Sequence, residues 1–196
     1  MPNYRDRLSR ARQRIYDRSN STPSIRLNPS GTLRRAVEAL PTILRTSDQL
    51  RVERVSQVIA DEITCVLRVP AVRVIMGGTR PSNARGELHG LYTPAENGGS
   101  GTIHVWMRTA KRQEVVRPRT LLRTLLHEVC HHLDYALLRL PDSLHTEGFY
   151  QRESSLFHQI GGAALSGGLS KTSSDTNGRT NRSAAGGRNP AAADGG

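Results

Sequence analysis

Between Arg119 and Leu140 the chain carries apolar residues at Leu122, Leu125, Leu126, Val129, Leu133, Ala136, Leu137 and Leu140, close to the 3.6-residue period of a helix packed on a core. Pro118 suits the first turn of such a helix and Pro141 marks its stop. Beside that apolar stripe lies His127-Glu128-Val129-Cys130-His131, a His-Glu-x-x-His pattern. On a helix, residues four apart stand on the same face, so His127 and His131 can offer two imidazole nitrogens to one metal ion. Glu128 is offset by one position and can reach a water beside that ion, so the spacing points to a water-activating Zn²⁺ site. The alternative is a buried helix with incidental polar residues. That alternative would leave a carboxylate and two imidazoles near a core without partners, a costly arrangement.

A catalytic zinc site needs a third protein ligand and an open position for water. Downstream, Pro141-Asp142-Ser143-Leu144-His145-Thr146-Glu147 supplies His145 and Glu147, and Glu153 is a third candidate on a following helix, as in thermolysin-like enzymes. His145 follows His131 by 14 residues, room for the helix to finish and the chain to turn back. In the chemistry this predicts, Glu128 is the general base in hydrolysis of an amide bond. A second stabiliser of the developing oxyanion would come from Tyr150, Arg152, Tyr135 or His132. Asp134 is placed to accept a hydrogen bond from a ligand imidazole, or is an ordinary surface residue. Cys130 reads as a small core residue between the ligands. His89 and His104 read as half-exposed strand residues outside the site.

The pairing of His127-Glu128-x-x-His131 with His145-x-x-x-Phe149 resembles the SprT-like (Spartan-type) zincin metallopeptidases. Their third ligand is a His that opens a His-Gly-x-x-Phe-like segment at the start of the next helix. Here the segment reads His145-Thr146-Glu147-Gly148-Phe149, so the first and last positions match and the glycine is shifted. The resemblance covers residues 47–160 in layout and a handful of positions in detail. It implies that His145 completes the Zn²⁺ site and that the substrate is a protein or peptide. It also implies a peptidase recruited to DNA through an Arg-rich arm. The cysteine-based C-terminal zinc module of many members cannot be built, because Cys65 and Cys130 are the only cysteines.

The net charge is +11, and 26 of the 28 basic residues are Arg. Residues 1–30 hold seven Arg against two Asp. That excess suits an acidic partner such as DNA, RNA or a membrane surface, although a GC-rich coding sequence would also favour Arg. It supports a rival reading from another class, a nucleic-acid-binding or scaffold protein whose zinc site is structural or vestigial. A structural site would close with a fourth ligand from Cys130, Glu147 or Glu153. No run of eighteen apolar residues appears, so a transmembrane helix is not expected. The basic N-terminus is not followed by a hydrophobic segment, which predicts a cytoplasmic chain with reduced thiols.

Composition divides the chain into a basic arm and linker (1–30), a zincin-like domain (31–160) and a disordered low-complexity tail (161–196). Within the arm, Tyr4, Leu8, Ala11 and Ile15 have helical spacing among six Arg, which reads as an amphipathic helix outside the metal core. Further helices are expected at 31–45, interrupted by Pro41, and at 47–67. The second would carry Leu50, Val55, Val58, Ile59, Ile63 and Val66 on one side, with Thr46 and Gln49 as a capping box. Strands are expected at 71–76, 87–93 and 102–107, the last with Ile103, Val105 and Met107 on one face and His104 and Trp106 on the other. This order predicts an α+β fold, a compact zincin-like domain with a small mixed sheet. The strand before the metal helix is expected to run along the substrate cleft, where a peptide could add as a further strand.

Overall fold

Four of the five α-helices start where a side chain satisfies a first free N–H group. In the computed structural model, which describes residues 4–84, 86–95 and 99–166, Ser9 caps α1 (Arg10–Asn20) and Ser30 caps α2 (Gly31–Arg45). Asp48 caps α3 (Gln49–Leu67), and Thr146 caps α5 (Glu147–Gln159). Helix α4 (Pro118–Ala136), which carries His127 and His131, instead opens on a proline, whose missing N–H removes one of the orphan donors. The expected Thr46/Gln49 capping box does not form. Thr46 closes α2, Ser47 turns the chain with φ of 56°, and Asp48 takes the cap. The buried face of α3 is also rotated from the expected stripe: Val52, Val55, Ile59 and Ile63 are inside, while Leu50 is 62% exposed. α2 runs through Pro41 without a break.

Three strands form a mixed sheet in the order β1 (Val72–Thr79), β5 (Gly101–Arg108), β4 (Gly90–Thr93). β1 and β5 are parallel, with Val74 opposite Ile103, and β4 runs antiparallel to β5, with Tyr92 opposite Ile103. The stretch expected as one strand at 87–93 is split. Its start pairs β3 (Gly86–Glu87) with β2 (Ser82–Asn83) in a separate small ribbon. β1 also continues through Gly77 and Gly78 rather than stopping there. On β5 the alternation holds, with Ile103, Val105 and Met107 buried against the helices. α3 lies on β1, and α4 lies on β5 and β4.

The free rim of β1 is not left open. Gln49, Glu53 and Gln57, one turn apart on α3, reach its backbone: Gln49 donates to the Met76 carbonyl, Glu53 accepts from Met76 N–H, and Gln57 accepts from Val74 N–H and donates to the Val72 carbonyl. Side chains thus occupy the place of a fourth strand. The central strand is β5, so it is β4, not the strand immediately before α4, that lies beside that helix as a sheet edge.

One hydrophobic core joins these elements, and it draws in segments whose composition reads as linker or tail. Ile25 and Leu27 are buried, and Ser19, at the end of the basic helix, is fully buried. At the other end a 3-10 turn, Gly162–Ser166, places Leu165 against the core. Residues 167–196, the bulk of the expected tail, lie outside the described residues. No described helix is long and apolar enough to cross a membrane.

Candidate metal centre

The stripe of α4 that holds the helix in place (Leu122, Leu125, Leu126, Val129 and Leu133) is at most 1% exposed. Burial of that extent contributes roughly 1.5–3 kcal/mol per side chain before ordering costs. It fixes the neighbouring face, which carries His127 and His131. α4 ends at Ala136, one turn short of the expected Leu140; Leu137 and Leu138 N–H both turn back to the Leu133 carbonyl, and Arg139 adopts φ of 51°. The chain then returns over the helix and brings His145 opposite the pair.

His127, His131 and His145 converge, with all three candidate ligand atoms within 4.8 Å of one another. His145 Nε2 lies 3.0 Å from His127 Nε2 and 3.1 Å from His131 Nε2. A tetrahedral site with metal–nitrogen bonds of about 2.0–2.1 Å has ligand edges of about 3.4 Å, so His145 Nε2 needs only a slight parting from each of the other two to admit an ion. The far nitrogens of the first two rings are already used. His127 Nδ1 is 3.1 Å from Glu153 Oε2, and His131 Nδ1 is 2.7 Å from Ser143 Oγ. Ser143 donates its hydroxyl proton to Asp134 Oδ2 at 2.7 Å, so its oxygen must accept Nδ1–H from His131. Both arrangements place the proton on Nδ1 and leave the Nε2 lone pair facing the cluster, the outer support typical of metal-ligating histidines. Burial, then His127 and His145, holds His131 down to about 3, and burial also lowers His145. Neutral imidazole is the form that ligates.

The fully buried Phe149 ring is the floor of this cluster. Its centroid lies 5.0, 4.8 and 5.1 Å from those of His127, His131 and His145. That contact is the physical content of the His145-x-x-x-Phe149 spacing.

Among the candidate third ligands the geometry separates the roles. His145 joins the cluster, whereas Glu153 bonds the far side of His127 and, through Oε1, Arg123 at 3.2 Å. Glu147 is exposed and Cys130 is fully buried, its thiol pushed well up by burial. Among the described residues no fourth His, Cys, Asp or Glu completes the group.

Glu128 is 5% exposed, and burial raises its carboxyl to about 7 against the pull of His127 and of a hydrogen bond from the Tyr92 backbone. Gly90 on β4 sits so close that a Cβ there would stand 2.4 Å from Glu128 Oε1. Two clefts, of about 300 and 340 Å³, meet at Gly90, His127 and Glu128. One runs on past His89, Arg123, Thr124 and Glu153, and the other past Leu91, Tyr92, Tyr135, Ser143 and His145. His89, expected outside the site, therefore lines its wall, while His104 stays against Trp106 on β5.

Compared with known proteins, the chain matches no family model, no curated protein and no solved structure.

The expected oxyanion stabilisers divide in two. Arg152 is fully buried and bonded to Asp134, Ser19 and Thr22, and both ring nitrogens of His132 are engaged, by Tyr92 Oη and the Pro70 carbonyl. Tyr135 faces the cleft, stacked on Tyr92, and the exposed Tyr150 ring lies 5.8 Å from that of His145. Asp134 is no surface residue; it is fully buried and reaches His131 through Ser143. Ser143, Gly90 and Tyr92 are the site residues that sequence reasoning misses. Only the position of Ser143, two residues before His145, offered a signal.

Proposed function

We propose that the chain is a zinc-dependent metallopeptidase of the zincin class, similar in plan to the SprT-like enzymes. The observation that carries this reading is the open three-imidazole cluster with a shielded carboxylate, Glu128, on the floor between two clefts. The set His127, His131 and His145 fits Zn²⁺ by ligand type and spacing. Zinc in such a site supplies Lewis acidity, acidifying water and polarising a carbonyl. The remaining work falls to the chain. Glu128, held near neutrality by burial, takes a proton from the attacking water and passes it to the leaving amine. Tyr92 N–H orients the Glu128 carboxylate, and Tyr135 or Tyr150 donates to the developing oxyanion. β4 is bonded to β5 on one side only, and Gly90 lines both clefts, so an extended peptide has a backbone to align with beside Glu128.

A closed, structural zinc site is the rival, and it lacks a fourth ligand among the described residues. An acidic partner at α1 belongs to the proposal in reduced form. Arg5 is paired with Asp17, Arg12 with Asp142, and Arg18 with the Leu138 carbonyl. Arg7, Arg10 and Arg14 have no ion pair among the described residues.

The test is hydrolysis of an unfolded protein such as casein by the zinc-loaded chain and by Glu128→Gln. The variant should keep its zinc and lose activity by orders of magnitude. Undiminished hydrolysis by a zinc-loaded Glu128→Gln would remove the peptidase reading.

A further inference from the structure

The basic helix at the start of the chain is tied to the metal centre more closely than to any surface. We propose that residues 18–22, the end of α1 and the turn after it, are a strap that positions His131 and His145, with Arg152 as its buried clamp; this rests on the three-His cluster being a metal site.

The third imidazole stands on the loop between Ala136 and Glu147, a segment that by itself would have to be ordered at each binding event. α1 grips that loop along its length. Arg12 Nη2 reaches Asp142 Oδ2 at 2.7 Å, and Arg18 Nη2 donates to the Leu138 carbonyl at 2.7 Å. Ser19 Oγ meets Thr146 Oγ1, next to His145, at 3.1 Å. Asn20 Oδ1 then accepts Gly148 N–H at 2.7 Å, in the first turn of α5. The approach is so close that a Cβ on Gly148 would stand 2.7 Å from Asn20 Cα and Ser19 O. Glycine at 148 is what allows the strap to lie there.

A second line of contacts runs inward from the same residues. Arg152 Nη1 donates to the carbonyls of Ser19 and Thr22, both at 2.6 Å. Its Nη2 donates to Ser19 Oγ at 3.0 Å and to Asp134 Oδ1 at 2.7 Å. Asp134 Oδ2 accepts a hydrogen bond from the Ser143 hydroxyl, and Ser143 Oγ accepts one from His131 Nδ1–H. An unbroken chain of hydrogen bonds therefore leads from the backbone of residue 19 to a ligand ring. Ser19, Asp134 and Arg152 are all 0% exposed. Burying an Arg–Asp pair is an inefficient way to gain stability, because desolvation offsets most of the attraction. Fixing the direction of a ring is a task such a pair does well.

The experiment measures zinc affinity of the full chain by competition with a chromophoric chelator, beside the melting temperature of each metal-free protein. Arg152→Ala risks unfolding, so the decisive variants are Ser143→Ala and the strap pair Ser19→Ala/Asn20→Ala. Each should weaken zinc binding about tenfold or more, the scale of lost outer support, and Ser143→Thr should restore it. Val52→Ala, in the remote core of α3, should lower the melting temperature while leaving zinc affinity unchanged. Strap variants that lose melting temperature but bind zinc like the parent would overturn the positioning role alone. A parent chain that takes up no zinc would overturn the metal centre, and this inference with it.

Discussion

Replacing Glu128 by Gln tests the electrostatics of the site without any assay of activity. In the metal-free chain the carboxyl rises from its ordinary 4.5 to about 7, chiefly because it is buried. At about 1.4 kcal/mol per pH unit, that rise of about 2.5 units is worth about 3 kcal/mol between the two protonation states. The sign follows from which state holds the proton. Below pH 4.5 the folded and unfolded chains are both protonated and the site costs nothing. Between 4.5 and 7 the unfolded chain ionises first, so stability falls as pH rises; above 7 the folded chain carries the full penalty. Glutamine has nearly the same shape, can still accept the Tyr92 N–H, and does not ionise. Glu128→Gln should therefore match the parent at pH 4 and exceed it at pH 8 by up to about 3 kcal/mol, or roughly 6–12 °C in melting temperature for a domain of this size. Thermal unfolding with chelator present, repeated in steps from pH 4 to 8, measures the difference. A gap that does not widen with pH, or a variant less stable at pH 8, would refute the claim that burial governs this carboxyl.

Four further outcomes follow from the geometry. His145→Ala should lose most of its zinc, whereas Glu153→Ala should retain one ion with affinity lowered about 10–100-fold, as metal analysis and chelator competition will show; the opposite ranking would make Glu153 the ligand. Gly90→Ala drives a methyl group into Glu128, so it should cost about 1–3 kcal/mol in denaturant unfolding and depress proteolysis while zinc content stays at one ion per chain. Deleting residues 1–20 strips partners from the buried Arg152–Asp134 pair and should destabilise the fold by about 3–5 kcal/mol, so full stability in the truncated chain would mean that α1 is dispensable. If α1 of the intact chain binds a DNA duplex, the three Arg that hold neither an ion pair nor the Leu138 carbonyl (Arg7, Arg10 and Arg14) predict a slope of log affinity against log salt of about −3 rather than about −5.

Helix α4 was legible because two periods coincide in it: the apolar stripe that anchors it and the four-residue spacing of His127 and His131. The strand faces of β5 were legible for a similar reason, since alternation is a local property. What the sequence could not display is which partner a polar side chain finds. Asp134 fits either a surface position or a partner of a ligand ring until the loop folds back over α4, and Glu153 stays a candidate ligand behind His145 until α5 is docked. Arg152 read as a group for the substrate because an arginine is seldom wholly buried, and here the end of α1 supplies its acceptors. The Thr46/Gln49 box failed through competition, as Asp48 caps α3 and Gln49 is drawn to β1. The residues at 19–30 read as linker because Ser, Asn and Pro carry little hydrophobic signal. Their burial depends on a few side chains, Ile25 and Leu27 among them.

The ladder of Gln49, Glu53 and Gln57 along β1 decides where a stranger can join the sheet. Three strands have two rims, and an extended chain, whether a misfolded neighbour or another copy, could zip onto either. α3 plays counterfeit strand at the first, where two glutamine amides and one carboxylate meet the Val72 and Met76 carbonyls and the Val74 and Met76 N–H groups. The other rim is β4, four residues long and pressed against the helix that carries Glu128. The rim left beside α4 is thus the one that borders the three-imidazole cluster.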